Sequence, residues 1–226
     1  MRPPGFTPFD ENLGRQRALD ELSKETYQSI GKPYGCKPDC RDQSLGFEAV
    51  YIGGYVTGAS TAITEPLLTM NEQIDPARDI ADRIDIPLVA DAGSGWGEPI
   101  HTMRTVREFI KAGVASVHIE DALFPKRAHY HKYVVHGIPL DEYVEKIEYA
   151  CKERDRSDPD FVVIARTDTC RALGLKEAAL RLNKAADVGA DMGLLFPRTR
   201  EEAEAAPKAC KLPLVYVHPT WANARI

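Results

Sequence analysis

Short apolar, β-branched runs alternate along this chain with longer stretches in which apolar residues recur every three to four positions. The runs at 33–37, 47–52, 86–91, 114–121, 161–168, 190–196 and 213–218 predict seven strands. Several are apolar at consecutive positions, as in IPLVAD and FVVIARTD, which is the pattern of a strand buried on both faces. Helices are predicted between them over 73–84, 100–112, 140–154, 175–188 and 200–210, with a further one at 11–30 ahead of the first strand. GSGWGEP (93–99) reads as a flexible glycine-rich rim, and 124–138 as a long polar loop. KAGVASVHI and DVGADMGLLF repeat one unit: a helix end, a glycine (Gly113 or Gly189) in the left-handed position, then the next strand. Strand–helix alternation with short turns predicts a parallel sheet with right-handed crossovers.

The expected fold class is therefore α/β, a TIM-type barrel, and apparently an incomplete one. Seven strands can be counted rather than eight, and about nine residues join the first two, where a parallel crossover takes a dozen or more. The first helix of the barrel reads as shortened, and the eighth strand and closing helices as missing. A single domain spans 1–226, with 1–8 as a disordered leader, 11–30 as an N-terminal helix and 33–218 as the barrel. An open strand edge predicts marginal stability or self-association.

The chemistry collects where the strands end. In a parallel barrel, residues just past the strands converge on one mouth. Asp91, Glu120, Arg166 and Asp168 stand at such positions. Carboxylates and a guanidinium gathered there suit a divalent cation and an anionic substrate. Plainer readings stand beside this one. A strand-end carboxylate can accept loop N–H groups, and Arg166 can pair structurally with Asp121 or Asp168. Asp168 reads as a residue that orients its neighbours. Gly53-Gly54-Tyr55 closes a strand with bare backbone, which exposes N–H donors to an anion or makes a tight turn. The segment 126–136 reads either as a solvated basic loop or as a lid over an anionic substrate, with His129, Tyr130 or His131 as proton donor. His118 reads as a packed core residue, Trp96 as a loop anchor and His218 as a rim residue.

Composition narrows the class. The 226 residues carry a net charge of −5, so no overall basic field favours nucleic acid. No apolar stretch approaches the roughly 20 residues of a membrane span, and the first residues lack the apolar segment of a secretory signal. Five cysteines, an odd number, suggest reduced thiols and a cytoplasmic setting. Cys36 and Cys40 have no second Cys/His pair at zinc-site spacing, and read as loop or core thiols.

Four segments, VYIGGYVTGAS, VADAGSGWG, VHIEDALFPKR and IARTD, in this order, resemble the isocitrate lyase/phosphoenolpyruvate mutase superfamily over roughly 32–218. The resemblance implies a (β/α)8 barrel preceded by an N-terminal helix. It implies Mg²⁺ (or Mn²⁺) and the making or breaking of C–C or P–C bonds in 2-oxo or 2-hydroxy acids. It implies Asp91 as the direct metal ligand and Glu120 as the holder of metal-bound water. Arg166 would bind a substrate carboxylate or enolate oxygen. The N–H groups of Gly54 and Tyr55, with Gly53 in the same turn, would receive a carboxylate or phosphonate, and Lys126 would begin a gating loop. It further implies a homo-oligomer built through exchanged C-terminal helices, which are absent here. The departures are specific. Asp91-Ala92-Gly93 stands where the family has Asp-x-Asp, Glu65 falls near another family aspartate, and the lid lacks both the lyase cysteine and the mutase asparagine. The leading expectation is a Mg²⁺-dependent carbon–carbon lyase acting on a small 2-hydroxy or 2-oxo dicarboxylate through an enolate. The alternatives are a phosphoenolpyruvate- or carboxyphosphonoenolpyruvate-type phosphonomutase, an oxaloacetate-type decarboxylase, or a truncated non-catalytic homologue.

Overall fold

Side chains alternating at a period of two assign each strand residue to one of two layers. The computed structural model describes residues 46–126 and 137–216. Its strands are β1 (Val50–Ile52), β2 (Leu88–Asp91), β3 (Ser116–Glu120), β4 (Val162–Thr167), β5 (Met192–Leu195) and β6 (Leu214–Val215). All five pairings are parallel, in sequence order, which gives a curled six-stranded wall of the TIM-barrel kind. The connections carry the helices α1 (Gly54–Thr61), α2 (Met70–Ala81), α3 (Pro99–Lys111), α4 (Leu140–Ser157), α5 (Cys170–Leu173), α6 (Leu175–Asp187) and α7 (Arg200–Ala209).

One face of the wall packs on these helices. Val50, Ile52, Leu88, Ala90, Val117, Ile119, Val163, Ala165 and Leu195 share a core with Ile74, Phe109, Ile147 and Leu182. Phe109 is fully buried there, and burial of such a side chain stabilises by about 1.5–3 kcal/mol. Gly193 lets α6 approach closely, since a Cβ on it would lie 3.0 Å from Leu182 Cδ1. The opposite face carries a smaller cluster of Val89, Val162, Ile164, Met192, Leu194 and Val215, with Tyr51 and Phe196 at its edge. That face is the barrel interior.

Six of the predicted strands and five of the predicted helices are present among the described residues, most within a few residues of their expected ends. The leader, the helix at 11–30, the strand at 33–37 and His218 lie outside the described residues. The helix expected at 73–84 begins three residues earlier, at Met70. Thr69 Oγ1 accepts from the Glu72 N–H, and the Glu72 carboxylate accepts from the Thr69 N–H at 2.8 Å. This reciprocal cap fixes the start. The last strand, expected over 213–218, is described only as Leu214–Val215. Helices α1 and α5 were not expected. The sequence of α1, GYVTGAST, has neither strong helix propensity nor an apolar stripe. The glycine-rich segment 93–97 is a packed turn rather than a flexible rim. Thr105 Oγ1 donates to the Gly95 carbonyl at 3.1 Å, and Lys146 Nζ to the Ser94 carbonyl at 3.0 Å. A Cβ on Gly95, whose φ is +78°, would lie 2.4 Å from Thr102 Oγ1.

Candidate active site at the strand ends

Register and period two place the polar side chains of the interior face. Asp91 is paired with His118, and Glu120 with Arg166, which is in turn paired with Leu194. The inward positions of β2, β3 and β4 are apolar or small low in the wall (Val89, Ser116, Val162) and charged at the C-terminal end (Asp91, Glu120, Arg166). All three charged groups are buried, Glu120 completely. Buried charges survive only when paired, and these are.

Arg166 is the hub. Its Nε and Nη2 donate to the two oxygens of Asp168 at 2.9 and 3.1 Å. Nη2 also lies 3.1 Å from Glu120 Oε2, and Nη1 lies 3.6 Å from Asp91 Oδ2. Of the two structural partners weighed from sequence, Asp168 is the one used. Asp121 instead binds the Thr167 hydroxyl and Arg181 on the helix side of β4. The guanidinium stacks 5.0 Å from the Phe196 ring, which fixes its plane. Despite burial, Asp168, Glu120 and Asp91 hold Arg166 firmly charged.

Lys126 reaches into the same cluster. Its ammonium is 3.1 Å from Glu120 Oε2 and pairs with Glu65. Its side chain is only 9% exposed and sits among carboxylates, so it is not a solvated loop residue. Burial would discharge it, but Glu120, Asp91 and Glu65 raise its pKa instead. Burial pushes Glu120 the other way, up to about 7, against Lys126 and Arg166. Asp91 is buried too, yet the positive groups around it and the Gly93 N–H hold its carboxyl well below the usual range.

The glycines behave as backbone donors. The Gly54 N–H donates to Asp91 Oδ2 at 3.2 Å and the Gly93 N–H to Asp91 Oδ1 at 2.8 Å. Gly53 is the N-cap of α1, so Gly54 and Tyr55 form the first turn of that helix, where N–H groups lack helical partners. The Tyr55 side chain is exposed. His118 is not a plain core residue. Burial lowers its pKa to about 4, so it is neutral near pH 7. Its Nε2 lies 2.9 Å from the Tyr51 hydroxyl, and its Nδ1 faces Asp91 Oδ1 at 3.6 Å. Trp96 anchors its turn by donating to the Leu68 carbonyl at 2.9 Å. His129, Tyr130 and His131 lie outside the described residues.

Sequence reasoning missed Gln73 and Tyr51. Gln73 lies on the inward stripe of α2 beside Ile74, Ala77 and Ile80, and lines a cavity with Gly54, Glu65, Asp91 and Lys126. A lone amide in an apolar helical stripe was the available signal.

The donor set can be tested against a divalent cation. Asp91, Glu120, Glu65 and Asp168 face only Arg166 and Lys126, so carboxylates outnumber the cationic side chains and the cluster suits a divalent cation. Neither oxygen of Glu120 has a well-aligned hydrogen-bond partner among the described residues, which is unusual for a buried carboxylate. No group of three acidic, imidazole or thiol side chains encloses a metal among the described residues. Mg²⁺ does not need one, because it takes one or two carboxylates and keeps several waters. The residues present fit that ion.

A family model described as phosphoenolpyruvate phosphomutase matches residues 19–224. The chain is 40% identical over 151 residues to 2,3-dimethylmalate lyase of Eubacterium barkeri, which covers 66% of this chain and 51% of that protein. Among solved structures it resembles oxaloacetate acetylhydrolase in complex with 3,3-difluorooxalacetate, with TM-score 0.78 and 32% identity over 90% of this chain and 70% of that one. It also resembles phosphonopyruvate hydrolase in complex with oxalate and Mg²⁺, with TM-score 0.71 and 32% identity over 78% of this chain and 62% of that one. The chain belongs to the isocitrate lyase/phosphoenolpyruvate mutase superfamily. It spans about half the length of several of the curated relatives it matches. No helix among the described residues is long and apolar enough to cross a membrane.

Proposed function

We propose that this protein is a Mg²⁺-dependent carbon–carbon lyase acting on a small 2-hydroxy or 2-oxo dicarboxylate. One observation carries the reading: Asp91, Glu120 and Arg166 converge, buried and mutually paired, at the C-terminal ends of three adjacent parallel strands. Asp91 would hold Mg²⁺ directly, oriented by the Gly93 N–H group, with Glu120 and Glu65 holding its waters. Mg²⁺ held there would supply Lewis-acid polarisation of substrate oxygens. Arg166, kept charged and planar by Asp168 and Phe196, takes the negative charge that develops on the enolate oxygen when the bond breaks. Lys126 serves as a fixed positive charge, since the carboxylates around it keep its proton in place. The first turn of α1 offers Gly54 and Tyr55 N–H groups to a substrate carboxylate once Asp91 turns to the metal. With a 2-hydroxy substrate the hydroxyl proton leaves as the C2 oxygen becomes a carbonyl; His129 or Tyr130 would take it and give a proton to the carbon released.

The same reading takes the chain as one barrel domain, cytoplasmic with reduced thiols, and self-associating. Cys151, Cys170 and Cys210 are free thiols, which suits a reducing compartment. A phosphonomutase or an oxaloacetate-type decarboxylase would use the same metal and arginine, and differs in the bond that breaks.

The test is a panel of 2-hydroxy and 2-oxo diacids incubated with the protein and Mg²⁺, followed by proton NMR. Release of pyruvate or glyoxylate from at least one diacid is expected, and EDTA should stop it. Pyruvate that appears with CO2 and without a second organic acid would point to the decarboxylase, and rearrangement of a phosphonate to the mutase. No turnover of any member would contradict an enzymatic role.

A further inference from the structure

Gln73 sits where the inward stripe of α2 is otherwise apolar. It is 1% exposed, and neither its amide nitrogen nor its amide oxygen has a hydrogen-bond partner among the described residues. Native interiors seldom leave both ends of a buried amide unpaired. The amide lines the cavity that also holds Asp91 and Glu65, with Leu68, Trp96 and Phe124 as apolar walls. The cavity volume is about 30 Å³. A water needs roughly 10–15 Å³ on that measure, so the space takes about two or three heavy atoms.

We propose that Gln73 determines substrate specificity, by hydrogen-bonding a neutral hydroxyl on the substrate carbon that lies beyond the Asp91 end of the site. This deepens the reading above and rests on it. An amide offers a donor and an acceptor, and a hydroxyl needs both. A methyl group in the same space would leave the amide unpaired. A carboxylate accepts but cannot donate, so it would leave the amide oxygen unpaired. The walls of Leu68, Trp96 and Phe124 fit the carbon that carries the hydroxyl.

The test is calorimetric and needs no turnover. Oxalate and two 2-hydroxy diacids that the protein does not turn over, differing only in a hydroxyl or a methyl at C3, are titrated into the protein with Mg²⁺. Wild type should bind the C3-hydroxyl compound at least tenfold more tightly than its methyl partner, because a site built to bond a hydroxyl rejects the analogue lacking it by orders of magnitude, roughly 10⁴ in strong cases. Gln73→Leu should erase or reverse that preference and leave oxalate binding unchanged, since oxalate has no C3 substituent. The ligand-free Gln73→Leu protein should melt no lower than wild type, because an apolar side chain suits the stripe better than an unpaired amide. Normal oxalate binding without any C3 preference in wild type would overturn the role of Gln73 alone. So would a Gln73→Leu protein in which both diacids weaken equally, as for an amide that only holds a trapped water. Should Gln73→Leu misfold, the wild-type preference still decides. Failure of wild type to bind oxalate with Mg²⁺ would overturn the reading of the whole site, and this inference with it.

Discussion

Replacing Arg166 with lysine should lower kcat/KM, for whichever diacid the panel returns, by about 10²–10³-fold, the usual loss when one donor to a developing oxyanion is removed. The argument is geometric. Arg166 presents a planar fork held by two bonds to Asp168 and by the Phe196 ring, with Nη1 and Nη2 turned toward Asp91 and Glu120. Lysine keeps the charge that Glu120 and Asp168 need but cannot occupy three directions at once. Folding should therefore survive. Alanine would be a poorer probe, since it leaves buried carboxylates unpaired at a cost of about 3–5 kcal/mol. The check is steady-state kinetics beside a thermal melt. An Arg166→Lys protein with wild-type kcat/KM would remove Arg166 from the reaction. A protein that loses its melt would assign it to the fold.

Asp91→Ala should abolish stabilisation by magnesium. A ligand at 100 times its Kd stabilises the folded state by about 2.7 kcal/mol, and wild type should show a melting shift of that size as MgCl2 is raised. The ligand-free variant should also be weaker than wild type, because the Gly54 and Gly93 N–H groups lose the carboxylate they share. The two effects separate by subtraction: the first depends on magnesium and the second does not. Asp85→Ala, in the exposed turn before β2, should respond to magnesium as wild type does. An equal magnesium shift in Asp91→Ala and wild type would sink the metal assignment.

Much of the site was legible in the sequence because strand chemistry is local. An apolar run that ends in an acid or an arginine at the mouth of a parallel wall places that side chain without further information. Asp91, Glu120 and Arg166 are all found at such ends. What the sequence hid is either long-range or non-periodic. Lys126 reaches Glu65, 61 positions away in the chain, so a residue that reads as the start of a basic loop or lid has its ammonium among carboxylates. His118 reads as core because it lies mid-strand. Its link to Tyr51, and its approach to Asp91, depend on the register of three strands. Helix α1 was invisible because glycine, serine and threonine carry no apolar period, and its start is set by Gly53 rather than by a side-chain cap. The shift of α2 by three residues came from a capping box at Thr69 and Glu72, a polar signal outweighed by the apolar pattern downstream. Gln73 was passed over because a single amide scarcely disturbs a stripe.

The central claim is that one site uses a strand-end carboxylate for Mg²⁺ and an arginine for the oxo acid, so that ligand and metal bind as a pair. Oxalate has the planar shape and charge of an α-oxo acid enolate and requires no turnover. The most direct measurement is therefore calorimetric titration of oxalate into the wild-type protein, first in EDTA and then in excess Mg²⁺. The account predicts one site per chain that is seen only with the metal, and a matching gain in Mg²⁺ affinity when oxalate is already bound. Oxalate binding equally well in EDTA, or absent under both conditions, would contradict it.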